Sequence, residues 1–166
     1  MNQFELEDTE RMAIMKFGER VGKEGVLRPG ASGLIFDKAR EQVLLTRRED
    51  NGRWCLPGGG MDAGESAAEA CVRELLEETG LEVRVTKLIG IYTTPDILME
   101  YPDGNRIQPV AFSFEAEITG GELGLSDETT EVGWYTTQEM ESMDILEHHI
   151  VRIRDGMENR PGAFVK

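Results

Sequence analysis

GGMDAGESAAEACVRELLEETGL, residues 59–81, carries Glu74, Glu77 and Glu78 at relative positions i, i+3 and i+4. On an α-helix that spacing sets three carboxylates on one face. Like charges so close cost helix stability unless something offsets them, and the usual offset for clustered hard oxygen ligands is a hard cation, Mg²⁺ or Mn²⁺. The segment carries its own boundary signals. Ser66 with Glu69 three residues on matches a capping box, and Gly80 suits the helix end. Ala68, Cys71, Val72, Leu75, Leu76 and Thr79 make the apolar side, expected roughly opposite the carboxylates.

Upstream of this segment, Arg28-Pro29-Gly30 punctuates the chain before a small-apolar run, Ala31 to Phe36, that reads as a strand. Asp37 to Arg40 reads as a hairpin turn and Gln42 to Arg48 as its second strand. Asp50-Asn51-Gly52 is a turn, and Trp54-Cys55-Leu56 is a short apolar segment ended by Pro57-Gly58-Gly59-Gly60. Downstream, Val83 to Tyr92 reads as a strand. A loop and the turn Pro102-Asp103-Gly104-Asn105 lead to a long strand near Ile107 to Ile118, broken by Gly120-Gly121. Glu131 to Tyr135 is a short strand, and Thr136 or Thr137 caps a short helix. Leu146 to Arg154 carries Leu146, Ile150, Val151 and Ile153, the pattern of an amphipathic helix. Residues 5–17 read as a short helix or irregular arm, and the tail after Gly156 has no strong signal. Strands on both sides of one central helix, then a final helix, predict an α/β (α+β) fold with a mixed sheet, and the pattern does not choose a topology. The expected division is an arm over 1–27, one domain over 28–156 and a tail over 157–166.

With 166 residues the chain suits one core, and 39% hydrophobic with 30% charged residues is ordinary for a globular protein. A formal net charge of -14 repels polyphosphate backbones, which argues against general nucleic-acid binding. An anionic small substrate would need local help from a metal or a few placed arginines. Most of the acidity has the simpler role of solubility. Cys55 and Cys71 do not make a disulfide framework and read as small buried residues. No apolar signal core or run of transmembrane length stands in the sequence, which predicts a cytoplasmic protein with no membrane partner.

The motif resembles the signature of the Nudix hydrolase family, Gly-x5-Glu-x7-Arg-Glu-aliphatic-x-Glu-Glu-x-Gly-aliphatic. Every specified position is met, by Gly59, Glu65, Arg73, Glu74, Leu75, Glu77, Glu78, Gly80 and Leu81. Trp54-x-Leu56-Pro57-Gly58-Gly59 looks like the family's usual entry to the motif, and the order of elements extends the resemblance from about residue 28 to about residue 140. The resemblance implies an α/β/α sandwich with a mixed sheet, and a loop-helix-loop that holds Mg²⁺ or Mn²⁺. It also implies hydrolysis of the pyrophosphate bond in a nucleoside diphosphate derivative. Metal would neutralise the phosphate oxygens that repel a nucleophile and lower the pKa of bound water.

Carried over residue by residue, the resemblance makes Glu74, Glu77 and Glu78 metal ligands, with a carbonyl of Gly59 beside them. For an isolated acidic pair, a solvated helix face is the plainer reading. Glu65 stands at the helix start, where the dipole alone favours a carboxylate, so structural and metal-supporting roles both fit. Arg73 is expected to pair with a carboxylate of the motif and fix its geometry. A further acid comes in this family from a loop before a tryptophan-bearing strand; here Glu128 is the choice as metal ligand or general base, with Asp127 the near alternative. Glu74 and Glu128 both remain open as the base. Arg47, Arg48 and Arg53 are candidates to grip a substrate phosphate, although alternation lets at most one of Arg47 and Arg48 face the site. Tyr92, Tyr101 and Phe112 are read as core before base-stacking, Trp54 and Trp134 as core, and His148 and His149 as surface residues. Pro95 lies close to the spacing of a proline in the ADP-ribose pyrophosphatase subgroup, so ADP-ribose or a nucleoside diphosphate sugar leads among substrates. Nucleoside triphosphates, or nucleotide sensing without cleavage, are the alternatives. Met12, Met15 and Phe17 could serve a homodimer partner or cover the protein's own core.

Overall fold

The structure is a computed structural model and describes residues 13–166. Its framework is a pair of long strands. β2 (Val26–Ile35) runs parallel to β8 (Arg106–Gly121), in continuous register from Val26 opposite Ile107 to Ile35 opposite Ala116. The other edge of β8 takes first β7 (Ile97–Glu100) and then β6 (Leu81–Tyr92), both antiparallel. β5 (Gly58–Gly60) lies along the free edge of β2, and β1 (Ile14–Phe17) along β7. A last short strand, β10 (Phe164–Val165), joins β6 and completes a mixed seven-stranded sheet. β3 (Gln42–Arg48), β4 (Trp54–Cys55) and β9 (Thr129–Thr136) form a second sheet. The expected α/β class and mixed sheet are both present.

Helix α1 (Ala67–Thr79) starts as the sequence predicts. Ser66 accepts the Glu69 N–H, Glu69 accepts the Ser66 N–H, and Gly80 closes the helix at φ 71°. A one-turn helix, α2 (Thr137–Met140), has the same box from Thr136 and Glu139. Helix α3 (Glu147–Met157) covers the opposite side of the large sheet.

Alternation along β2 sends its side chains into two cores. Ala31 and Ile35 pack with Cys71, Leu75 and Phe114 under α1. Leu34 packs with Ile89, Trp54 and Ile153 under α3. Gly33 is needed between these layers, because a Cβ there would stand 2.5 Å from Leu75 Cδ2. Cys55 and Cys71 are buried free thiols, pushed up to about 11 and about 12 by burial.

Several expectations change. β2 and β3 are not a hairpin within one sheet. Their ladder is limited to the Phe36–Val43 bridge, because the second half of β2 is buried on both faces and takes β8 as its long partner. The turn between them is held by Asp37, which accepts the Glu41 and Gln42 N–H groups. Ile14–Phe17 is a strand rather than a helix, since the edge of β7 offers backbone partners, so Met15 and Phe17 sit in the sheet; residues 5–12, including Met12, lie outside the described residues. Strand β2 also begins at Val26, inside the expected arm, and the expected tail contributes β10. His148 and His149 are half-buried and held neutral, His148 at about 3, first by burial and then by the positive charge of Arg152; His149 Nδ1 accepts the Leu56 N–H at 3.1 Å. No helix among the described residues is long and apolar enough to cross a membrane.

Buried Asp155 ties the C-terminal strand to the sheet. It accepts the Tyr92 hydroxyl and the Lys166 ammonium, each at 2.8 Å. Asp155→Ala strands the Tyr92 hydroxyl in the interior and should lower the unfolding free energy by about 2 kcal/mol. Lys166 is half-exposed, and Lys166→Ala should cost less than about 1 kcal/mol in the same urea titration.

Candidate active site

Three glycines in a row let three different groups press onto β5. At Gly58 (φ 150°) a Cβ would stand 2.3 Å from the Ala31 carbonyl oxygen, so only glycine lets β5 lie this close to β2. At Gly59 a Cβ would stand 2.5 to 2.6 Å from the atoms of the Glu74 carboxyl group. At Gly60 it would stand 3.3 Å from a guanidinium nitrogen of Arg28. The missing side chains are therefore replaced by strand backbone, an acid and a base in turn.

The acids come from α1. Glu78, only 8% exposed, accepts the Gly58 N–H at 2.9 Å. Burial pushes its pKa from 4.5 to about 7, the Gly58 hydrogen bond opposes that push, and the nearby charges of Glu74 and Glu128 add to it. Glu74 is also raised by burial, although Arg73 pulls it back. The carboxylate face is thus not opposite the core. It turns against the sheet, while Leu76, expected on the apolar side, is 48% exposed. The helix rotates this way because residues 70, 71, 75 and 79 supply its buried stripe, with Glu74 and Glu78 flanking it.

Arg73 organises this end of the helix. It donates to Glu65 through Nε at 2.6 Å and Nη2 at 2.9 Å, to Glu74 at 2.9 Å, to Glu77 at 3.1 Å and to the Gly60 carbonyl at 3.0 Å. The guanidinium draws Glu65 down to about 2. Glu65 also accepts the Asp62 N–H, which fixes the loop before the helix. Glu77 keeps its side chain 58% exposed at the rim.

Across from α1, the loop before β9 brings Glu128 and Thr129 to a cleft of about 280 Å³ that Thr46, Arg48, Glu49, Asp50 and Glu78 also line. Arg48 faces this cleft and is gripped by both carboxylate oxygens of Asp50, at 2.8 and 2.6 Å, which raises its pKa further. Arg47 points away and donates to Glu131 and the Gly52 carbonyl. Arg53 is drawn off to Asp144, Glu147 and the Ile145 carbonyl, whose fixed acceptors satisfy its fork away from the cleft. The structure brings Glu78, Glu128 and Arg48 into one cleft, with Glu74 off its lining but near enough to feel the charge of Glu128, and leaves Arg47 and Arg53 outside. Asp127 is not among the cleft-lining residues. Arg28, marked in the sequence only as punctuation before a strand, reaches Gly60 through the pairing of Gly60 with Gly30.

A larger groove of about 730 Å³ lies between α2 and α3, lined by Met140, Met143, Ile150 and Met157. It gathers no comparable set of acids, so chemistry rather than size marks the cleft at Glu78 as the site.

Among the described residues, no group of three or more His, Cys, Asp or Glu side chains is placed to hold a metal ion as it stands. Glu74 leans on Arg73, Glu78 on Gly58, and Glu128 stands across the cleft. The donor set nevertheless suits a hard divalent cation: carboxylates only, with the charge of Glu128 pushing up both Glu74 and Glu78, and the backbone of Gly59 open beside Glu74.

The family model for the NUDIX domain matches residues 26–153. A Bacillus subtilis (strain 168) protein carrying the provisional name 8-oxo-dGTP diphosphatase is 38% identical over 104 residues, 63% of this chain and 62% of the relative. An ADP-ribose pyrophosphatase of Methanocaldococcus jannaschii is 34% identical over 114 residues, 67% of this chain and 64% of the relative. The match to each of these two therefore spans a little under two thirds of the relative's length. Among solved structures, a NUDIX hydrolase from Nitrosomonas europaea superposes with a TM-score of 0.70 at 23% identity, covering 84% of this chain and 77% of that one, and shares the fold.

Two outcomes test the site. Mg²⁺ or Mn²⁺ should raise the melting temperature of the wild type, and Gly59→Ala, which drives a methyl into the Glu74 carboxylate, should abolish that rise. The second concerns Glu78, whose pKa is higher folded than unfolded, so the metal-free folded state holds its proton more tightly. Stability should therefore fall as pH rises from about 4.5 to about 7, and urea titrations in chelator should show a smaller fall for Glu78→Gln. Glu65, shifted down, acts only below that window.

Proposed function

The chain belongs to the NUDIX family, and on that premise we propose that it hydrolyses a pyrophosphate bond in a nucleotide derivative with Mg²⁺ or Mn²⁺. The observation that carries this reading is the convergence of Glu74 and Glu78 on the glycine strand, with Glu128 facing them across the cleft. Glu74, Glu77, Glu78, Glu128 and the Gly59 backbone would hold the cation. Bound there, it would neutralise phosphate oxygens and acidify a water molecule.

The chain's own residues divide the remaining work. Arg73 is a positioning residue: it opposes the burial that raises Glu74 and turns that carboxylate towards the loop while tying Glu65 and Gly60 to the same point. Among the described residues the Glu128 carboxylate has no ion-pair or hydrogen-bond partner, which favours it over Glu74 as acceptor of the proton from the attacking water. Arg48 faces the cleft as a second donor to substrate phosphate, with Asp50 orienting its fork.

ADP-ribose or a related nucleoside diphosphate sugar leads among substrates, supported by the relative named for that activity. The relative named for 8-oxo-dGTP supports nucleoside triphosphates as the second reading. Pro95, close to the subgroup's proline position, has a structural part as well, since its carbonyl accepts the Gly22 N–H.

A panel of nucleoside diphosphate sugars and nucleoside triphosphates, incubated with protein and Mg²⁺ and read by mass, tests the proposal. ADP-ribose and water should yield AMP and ribose 5-phosphate. Glu128→Gln should lower kcat by about 100-fold or more with the melting temperature retained. Tight nucleotide binding without turnover of any substrate would replace hydrolysis with sensing.

A further inference from the structure

The sheet edge at β5 carries a second charged group that the reaction chemistry does not absorb. In the ladder with β2, Gly59 stands opposite Ala31 and Gly60 opposite Gly30. Successive residues of a strand point to opposite faces, so the places left by the two missing side chains lie on opposite sides of β5. Glu74 fills the first place, 2.5 Å from the position a Cβ would take, and Arg28 fills the second, with Nη2 at 3.3 Å and Nε at 3.6 Å. The Arg28 guanidinium thus lies over the Gly60 peptide. From its carbonyl, that same residue is held by Arg73.

The three arginines differ in what they have left to give. Arg73 meets Glu65, Glu74, Glu77 and a carbonyl, and Arg48 gives its Nε and Nη2 edge to Asp50. Arg28 is exposed and has no carboxylate or carbonyl partner among the described residues. An unpaired planar fork at the same strand as the acids but on its other face, in a chain of net charge -14, offers an incoming anion donors that nothing else competes for. Because β5 is the last strand on its side of the sheet, one ligand can touch both of its faces. Pro109, opposite Arg28 on β8, offers no polar side chain to draw the guanidinium away.

We propose that Arg28 is a substrate-positioning residue whose guanidinium, over Gly60, receives phosphate oxygens of the nucleotide on the face of β5 opposite Glu74. This rests on the reading of the cleft as a pyrophosphate hydrolase site. Its role is to orient the substrate, with the proton and metal chemistry left to the glutamates. A contact made equally in the bound and the transition state changes KM and leaves kcat.

The test compares wild type, Arg28→Ala and Arg28→Lys in steady-state turnover with Mg²⁺. A parallel titration uses a non-hydrolysable methylene analogue of ADP-ribose. Arg28→Ala should raise KM and the analogue's Kd by about 10-fold or more, with kcat within about twofold and the melting temperature unchanged. Arg28→Lys should recover only part of the loss, because an ammonium lacks the fork, and added guanidinium ion should improve binding by Arg28→Ala and not by wild type. Unchanged KM and Kd in Arg28→Ala would overturn the inference, as would a loss confined to kcat. A wild type that turns over nothing, yet binds the analogue through Arg28, would defeat the hydrolase reading and keep this one. Failure of the wild type to bind the analogue and to turn over any nucleotide of the panel would overturn both.

Discussion

The site depends on one constraint: a strand without side chains must pass under a helix that carries acids. Glu78 is buried because Gly58 gives it a backbone N–H, and Glu74 can approach because Gly59 has nothing in its way. A carboxylate taken out of water is expensive unless it is paired or neutralised, and the structure leaves that cost partly unmet, as the raised pKa of Glu78 records. The unmet part is what a divalent cation would relieve. Fold and candidate chemistry therefore meet at the same few backbone atoms of β5.

Arginines manage the charge that this arrangement concentrates. Arg73 gathers Glu65, Glu74 and Glu77 and anchors the loop through Gly60, so one side chain sets both loop and ligands. Arg48 is committed to Asp50 but still faces the cleft, whereas Arg53 is consumed by Asp144 and Glu147 on another surface. With Arg47 taken by Glu131, the neighbouring Arg47, Arg48 and Arg53 have three different fates, decided by which carboxylate each strand or loop places within reach.

Much of α1 was legible in advance because its signals are local. The capping pair Ser66 and Glu69, the closing Gly80 and the i, i+3, i+4 acids all act within one or two turns. The orientation of the helix was not legible, since Leu76 and Glu78 trade exposure only when α1 rests on Gly33 and the glycine strand. Strand positions were largely readable for β3, β6 and β8. Partnerships were not: β2 looked like half of a hairpin and instead runs beside β8, and the final Phe164–Val165 strand exists only because β6 offers it an edge.

Residues 59–81 by themselves determined the helix, its ends, the family resemblance and the acids available to a cation, because those properties follow from spacing along one continuous segment. Tertiary structure alone decided which groups face one another. Glu128 reaches Glu78 from the loop before β9, fifty residues beyond the helix acid, and Arg28 reaches Gly60 through the pairing of β5 with β2. Such meetings depend on sheet register and on the face each residue takes, and neither is encoded within the span of a local motif.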